Sequence, residues 1–279
     1  MWLRLTSGCV CLARLRRAAG LAAHPKSFEG CFVTDMASVS DSVQNKPAPG
    51  LVARIVGVLL SPKETFAAVA AKPRWLGVML VTLVMSSAAY YVILASPDMQ
   101  DAIIDQQVRA MEARGNPVSD QQVANIERFI GYLPVGYAVG IFILGPLFGA
   151  AIAGIVTGIF STLMGGNGTF KQVFAVMNHA GFIPALSALF IAGMLAAGAK
   201  PIGARPPGAN LGVFLPFLEE TSFLAVMLRS IDMFLLWWMV VLAIGLGVLY
   251  KRRTGPIATT FIGLYIVIAL LIATFTSGS

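Results

Sequence analysis

Five long apolar stretches constrain this chain more than any other feature. Each is long enough to cross a hydrocarbon core about 30 Å thick, because a helix rises about 1.5 Å per residue. Apolar residues make up 57% of the 279 residues and charged residues only 12%, whereas soluble domains carry roughly 25% charged residues. The sequence therefore predicts an all-α fold, a polytopic transmembrane helix bundle of five spans. These cover approximately residues 75–95, 136–163, 173–197, 230–250 and 257–276.

Basic residues predict the orientation of the spans. Lys and Arg gather before the first span, in the loop between the second and third, and in "KRRTGP" between the fourth and fifth. Short basic loops lie on the cytoplasmic side, so the N-terminus is expected inside and the C-terminus outside. The same bias accounts for the net charge of +7 without nucleic acid as a partner.

Amphipathic helices are predicted before the first span and in the first outer loop. In "LVARIVGVLL" apolar residues recur at helical spacing, and Ser61 with Glu64 then forms a capping-box pattern. This helix pair lies either on the inner leaflet or as a packed hairpin beneath the bundle. Ser119 and Gln122 form a second capping box in the outer loop, which predicts a helical hairpin there. Its acidic surface serves solvation or binds a partner.

The first 49 residues differ from the rest of the chain. Residues 1–35 are Arg-rich, hold all three cysteines and contain an apolar run too short for a signal peptide. They are expected to be an over-extended reading frame or a dispensable tail, with a targeting peptide as the alternative. Residues 36–49 read as a disordered polar segment, and residues 50–276 as the membrane domain. Since the membrane domain has no cysteine, sites built on thiols are excluded from it.

A glycine cluster opens the stretch "GGNGTFKQVFAVMNHAGFIP". It is not a phosphate-binding loop, because that motif needs Gly-Lys-Ser/Thr in succession between a strand and a helix. Gly165, Gly166 and Gly168 instead predict a tight turn between two membrane helices, with Thr169 as the N-cap of the second. Pro184 predicts a kink further along that helix.

Three polar residues inside the apolar stretches are candidate functional groups: Asn178, His179 and Asp232. Ionisable residues within a membrane are functional hypotheses by default. Their structural alternatives are hydrogen bonds between helices for Asn178 and His179, and a cap or ion pair for Asp232. His179 is the sole histidine after residue 36, and Asp232 lies near the other end of its span, so a direct relay between them is not expected. The sequence predicts no catalytic set, no metal site and no cofactor.

Glycines also mark the second predicted span. At about 100° per residue, one face of that helix carries four glycines and the opposite face carries Gly145 and Gly149. Small residues let membrane helices approach closely, which predicts a central packing helix, with a pore-lining or homodimer role as alternatives. The four glycines are Gly136, Gly140, Gly154 and Gly158.

Residues 50–276 resemble the bacterial branch of the Yip1 family of integral membrane proteins. The resemblance rests on "SPKETFAAVAAKPRW", the glycine hairpin with its later proline, and "IDMFLLWWMVVLAIGLGVLYKRRTG". It implies a protein of the bacterial inner membrane without an established activity. Eukaryotic relatives are implicated in vesicle trafficking with Rab GTPases, but this chain lacks their Tyr-Gly-Pro type motif, so Rab binding is not expected.

The resulting functional hypothesis is a non-enzymatic membrane protein with a role in membrane organisation, a trafficking-like process or scaffolding. Its expected partners are the lipid bilayer and either other membrane proteins or further copies of itself. The alternative is a small transporter or permease subunit that uses the polar groups within the bundle.

Overall fold

A computed structural model describes residues 49–163, 165–215, 217–219 and 222–276. The expectations for residues 1–35 and for residues 36–48 lie outside these ranges. The described residues form helices joined by loops, and their only β-type pairings are two isolated bridges, Ile202 with Arg205 and Asn210 with Asp232. In chain order the helices are α1 (Leu51–Leu60), α2 (Pro62–Ala71), α3 (Leu76–Ala95), α4 (Pro97–Glu112), α5 (Asp120–Thr157), α6 (Phe170–Ala180), α7 (Phe182–Ala196), α8 (Phe223–Arg229), α9 (Met233–Leu249) and α10 (Thr254–Thr276).

Four of the apolar helices have the length and composition of a membrane span, and the all-helical prediction is confirmed. They are Leu76–Ala95, Asp120–Ser161, Phe170–Ala196 and Thr254–Phe275. The remaining predicted span forms α9, which has 17 residues. At 1.5 Å per residue α9 is about 25 Å long, somewhat shorter than a hydrocarbon core of about 30 Å.

The shortest of these apolar helices lies at the centre of the bundle. Helix α9 packs against α2, α6, α7 and α10, and most of its second half is buried. A Cβ atom added to Gly245 would lie 2.5 Å from Val176 Cγ1 and 3.2 Å from the ring of Phe66. Val176 and Phe66 are both fully buried. The missing side chain at Gly245 therefore allows α2 and α6 to meet on α9.

Helix α5 lies at the edge of the described bundle, which differs from the expected central position. It runs without a break through Pro134 and Pro146 and continues as a π-helical segment, Gly158–Leu163. Only 6% of its apolar window is buried, against 44% for the window in Phe170–Ala196. Hydropathy does not distinguish an exposed apolar helix such as α5 from a more buried one such as Phe170–Ala196, because lipid tails are as apolar as the interface between two helices.

The pre-membrane helices form part of the bundle core. Val58 of α1 and Phe66 and Val69 of α2 are fully buried in the same cluster as residues of α6 and α9. On its other face α1 exposes Val52 and Leu60. One face of α1 therefore packs in the bundle, and the other leaves apolar side chains exposed, as a helix on the inner leaflet would.

The capping box predicted at Ser61 is wrong. Ser61 ends α1, where its backbone N–H donates to Gly57 O, and its side chain makes no cap hydrogen bond to α2. Because the two helices meet at this one residue, its backbone conformation is fixed by the junction. The predicted capping box at Ser119 is present, with Gln122 as the reciprocal partner.

The first outer loop contains one separate helix rather than two. Helix α4 ends at Glu112, and the second predicted arm is the start of α5, which continues into the second span without interruption. Gly115, with a φ of 78°, lies in the turn between them. A contact of 2.6 Å between Lys200 Nζ and Asp98 Oδ1 joins the start of α4 to the segment that follows α7.

Gly245→Ala is expected to destabilise the protein by about 1–3 kcal/mol, because a new methyl group is forced against Val176 and Phe66. Gly263→Ala on α10 is the matched control, since a Cβ there meets nothing within 4 Å. Alanine is the better helix former, so the control should be neutral or slightly stabilising. Denaturation in detergent followed by circular dichroism measures both. Equal stability of the two variants would contradict the central packing of α9.

Candidate functional site

His179 is fully buried near the pre-membrane helices. Its Nδ1 lies 2.7 Å from Ala175 O, and its Nε2 lies 3.3 Å from a terminal nitrogen of Arg54 on α1. A carbonyl oxygen only accepts a hydrogen bond and a guanidinium only donates. The ring therefore carries its proton on Nδ1 and accepts from Arg54 through Nε2. This contact ties α6 to a helix 125 positions away in the sequence.

Arg54 is the partner that sequence reasoning missed. It is only 8% exposed, and the same terminal nitrogen that approaches His179 donates to Arg74 O at 2.6 Å. Its Nε is buried without a hydrogen-bond partner. Burial lowers the pKa of Arg54 from its ordinary value, and the neighbouring charge of Arg74 lowers it further. Arg54 lies four residues before Val58, so the two share the buried face of α1. This spacing was the signal in the sequence that could have identified Arg54 as a buried residue.

Asn178 lies beside His179 in the chain but makes a different contact. Its Nδ2 donates to Phe174 O at 2.7 Å, one turn earlier in the same helix. Asn178 is only partly buried. The hydrogen bond between helices is therefore made by His179, whereas that of Asn178 stays within α6.

The glycine turn fits around one aromatic ring. Gly165 has a φ of 66°, and a Cβ added to Gly166 or Gly168 would lie 2.5 or 2.6 Å from the Tyr250 ring. The Tyr250 hydroxyl lies 3.2 Å from Ser161 Oγ, which donates to Gly168 O. Two of the three glycines thus provide space for the side chain that ends α9.

Helix α6 begins and ends at signals present in the sequence. Thr169 is the N-cap of α6, as predicted, and it forms a capping box with Gln172. The helix ends at Ala180, and α7 starts at Phe182 after Gly181. Pro184 lies four residues after Ala180. In a continuous helix the ring of Pro184 would clash with the carbonyl group of Ala180. The break at Gly181 avoids that contact.

Asp232 lies at the opposite end of α9 from Tyr250. Its Oδ1 accepts a hydrogen bond from Leu235 N at 2.9 Å, so it is the N-cap of α9. Tyr265 of α10 holds the preceding turn, because its hydroxyl donates to Ser230 O and accepts from Asp232 N. Asp232 and His179 therefore have separate partners at different ends of the bundle, in keeping with the expectation of no direct relay.

The glycines of α5 divide between two environments. A Cβ at Gly145 would lie 3.1 Å from Leu83, and one at Gly149 would lie 3.6 Å from Phe174. On the face predicted to pack closely, a Cβ added to any of the four glycines would meet no other described residue within 4 Å: Gly136, Gly140, Gly154 and Gly158. Along its outer half an apolar groove of about 620 Å³ is lined by α5 alone, from Phe129 to Phe148.

Comparison with known proteins gives one match. A family model described as the Yip1 domain matches residues 56–276, most of the chain. The chain belongs to the Yip1 family. No curated protein and no solved structure matches this Yip1 protein. The family is generally non-enzymatic, and within the described residues no group of three His, Cys, Asp or Glu side chains could hold a metal ion.

Arg54→Met and His179→Leu should be strongly coupled in a double-mutant cycle. His179→Leu removes one hydrogen-bond acceptor of the buried Arg54 guanidinium, which should lower the free energy of unfolding by about 1–3 kcal/mol. In a chain that already carries Arg54→Met this loss cannot occur, because the guanidinium is absent. The double variant should therefore be more stable than the sum of the two losses predicts, by at least about 1 kcal/mol. Unfolding in detergent measures this coupling. Losses that add within about 0.5 kcal/mol would contradict the contact.

Gly168→Ala should cost about 1–3 kcal/mol of stability while Tyr250 is present, because the methyl group would overlap the ring. In a Tyr250→Leu background the same substitution should cost clearly less, since the ring is gone. The comparison uses the identical change in two backgrounds, measured by thermal unfolding. An equal cost in both would mean that Gly168 is required by the turn rather than by Tyr250.

Proposed function

We propose that this Yip1 protein is a non-enzymatic scaffold of the bacterial cytoplasmic membrane, in which α9 forms a short fifth span. Its N-terminus is inside and its C-terminus outside. The orientation is supported by Lys171, in the first turn of α6, and by Lys251, Arg252 and Arg253 in the short loop between α9 and α10. The fifth span is supported by the central position of α9.

The unpartnered face of α5 carries this proposal. Gly136 and Gly140 form a Gly-x-x-x-Gly notch in the groove, flanked by the exposed rings of Tyr132 and Tyr137. Helices in lipid associate through close packing rather than through the hydrophobic effect, and small residues permit that packing. Leu83 of α3 packs close to Gly145 at one end of the groove, whereas a Cβ at Gly136 or Gly140 would meet no described residue within 4 Å. The groove has the shape to receive a transmembrane helix of another membrane protein.

The geometry of His179 does not favour the transporter alternative. A transporter would use a polar group that faces a water-filled path at mid-depth. His179 is fully buried, and both of its ring nitrogens lie within hydrogen-bond distance of a protein atom. Asn178 bonds to its own helix.

Site-specific photo-cross-linking from Tyr137 in native membranes tests the scaffold. With both groove glycines changed, Gly136→Leu and Gly140→Leu, cross-linking to partner helices should fall by at least about fivefold, the change for roughly 1 kcal/mol of lost association. Among the described residues a Cβ at either position meets nothing within 4 Å, so thermal stability should be retained.

Gly263→Leu is the matched control, because Gly263 also has open space around it but lies on α10. It should leave the cross-links from Tyr137 unchanged. If the groove variant also keeps its cross-links, or if Tyr137 in the unaltered protein links only to lipid, the scaffold proposal is overturned. Cross-links to a second copy of the chain would identify the partner as the protein itself.

A further inference from the structure

A second cavity, of about 460 Å³, lies at the end of the bundle where α9 begins. Its apolar side is formed by Ile191 and Met194 near the end of α7, and its polar side by residues 202–213 with Arg229 and Asp232. This volume lies in the range of small-molecule sites, roughly 300–1,000 Å³. The cavity thus places charged groups next to the ends of apolar helices.

Positive charge enters the cavity from two arginines. Arg205 is held by its backbone, which exchanges hydrogen bonds of 3.0 and 3.2 Å with Ile202 across a two-residue turn. Among the described residues its exposed guanidinium has no hydrogen-bond or ion-pair partner. Arg229 lies so close to Gly212 that a Cβ on that glycine would overlap its side chain. Together these two side chains suit an anionic group such as a phosphate diester.

Two oxygen acceptors belong to residues that line this cavity, Asn210 and Asp232. Asn210 Oδ1 is buried and has no hydrogen-bond partner. Asp232 uses Oδ1 to cap α9, and its Oδ2 would lie 3.9 Å from a Cβ placed on Gly208, a residue of the cavity lining. An orphaned buried acceptor beside a carboxylate favours a ligand that donates hydrogen bonds and carries positive charge.

The two segments that carry these acceptors are held together by backbone hydrogen bonds within the protein. Leu211 N donates to Ile231 O at 3.0 Å, and Met233 N donates to Ala209 O at 2.9 Å, on either side of the Asn210–Asp232 bridge. Tyr265 holds the same turn from α10 through two further hydrogen bonds. A preformed site loses less conformational entropy on binding than a flexible loop does.

We propose that this cavity binds the phosphoethanolamine headgroup of a membrane phospholipid. Arg205 contacts the phosphate, the ammonium donates to Asn210 Oδ1 and Asp232 Oδ2, and the apolar side receives the start of the acyl chains. Phosphate alone would leave the Asn210 acceptor orphaned and would be repelled by Asp232. A bare cation would be repelled by the arginines. A trimethylammonium headgroup has no N–H with which to satisfy Asn210.

Photo-labelling of the full chain in phosphatidylcholine nanodiscs tests this site. The discs contain a small fraction of a phospholipid with a diazirine early in one acyl chain and an ethanolamine, choline or glycerol headgroup. Mass spectrometry then measures labelling of the peptide that holds Ile191 and Met194. The ethanolamine lipid should label it at least about fivefold more than either other lipid, a difference of about 1 kcal/mol.

Two variants separate the two halves of the headgroup. Asp232→Asn keeps the helix cap, because asparagine caps as well as aspartate, and it should reduce ethanolamine labelling to the level of the glycerol lipid. Arg205→Gln should reduce labelling by all three lipids at least about fivefold. Arg253→Gln, an exposed arginine in the turn after α9, is the matched control and should change nothing.

Equal labelling by the three lipids in the unaltered protein would overturn the proposal. An unchanged ethanolamine preference in Asp232→Asn, or unchanged labelling in Arg205→Gln, would overturn it as well. Soluble glycerophosphoethanolamine distinguishes a lipid from a free ligand of the same chemistry. A lipid site should resist millimolar amounts of the soluble compound, whereas complete competition would overturn the lipid assignment.

Discussion

Close packing at Gly245 is the contact on which the rest of this bundle depends. Only a glycine at position 245 lets Val176 and Phe66 reach the backbone of α9. Helix α2, which carries Phe66, and helix α6, which carries Val176, therefore share one core with α9. A helix of 17 residues has little margin for crossing a bilayer by itself. Surrounded by α2, α6, α7 and α10, it is shielded along much of its length by protein rather than by lipid.

Polar contacts hold this core at its two ends. At one end Tyr250 lies over the glycine turn, and the Arg54 and His179 pair joins α1 to α6. At the other, Asp232 caps α9 while Tyr265 fixes the turn before it. In an apolar environment each unsatisfied backbone group costs several kcal/mol, so these end contacts matter more than they would in water. Both surfaces proposed to be functional lie outside the core, in the α5 groove and in the cavity beside Asp232.

Sequence patterns predicted local features well because those depend on neighbouring residues. The helices, the capping box at Ser119, the N-cap at Thr169 and the glycine turn all follow from short-range rules, although the capping box predicted at Ser61 does not form. Long-range placement did not follow, since hydropathy is the same for a lipid-facing and a buried membrane helix. Glycines on two faces of α5 led to the expectation that it is central, and the partners of the glycine turn and of His179 were not foreseen. Tyr250 and Arg54 are 82 and 125 positions from Gly168 and His179 in the chain.

The central claim is that α9 crosses the membrane at the core of the bundle. Single cysteines at Phe217 and Arg253, both exposed and on either side of α9, test it in a chain whose native Cys9, Cys11 and Cys31 are replaced. An impermeant maleimide applied to sealed vesicles of known orientation should label Phe217→Cys only from outside and Arg253→Cys only from the cytoplasmic side. Labelling of both from the same side would show that α9 does not cross, and would contradict the account.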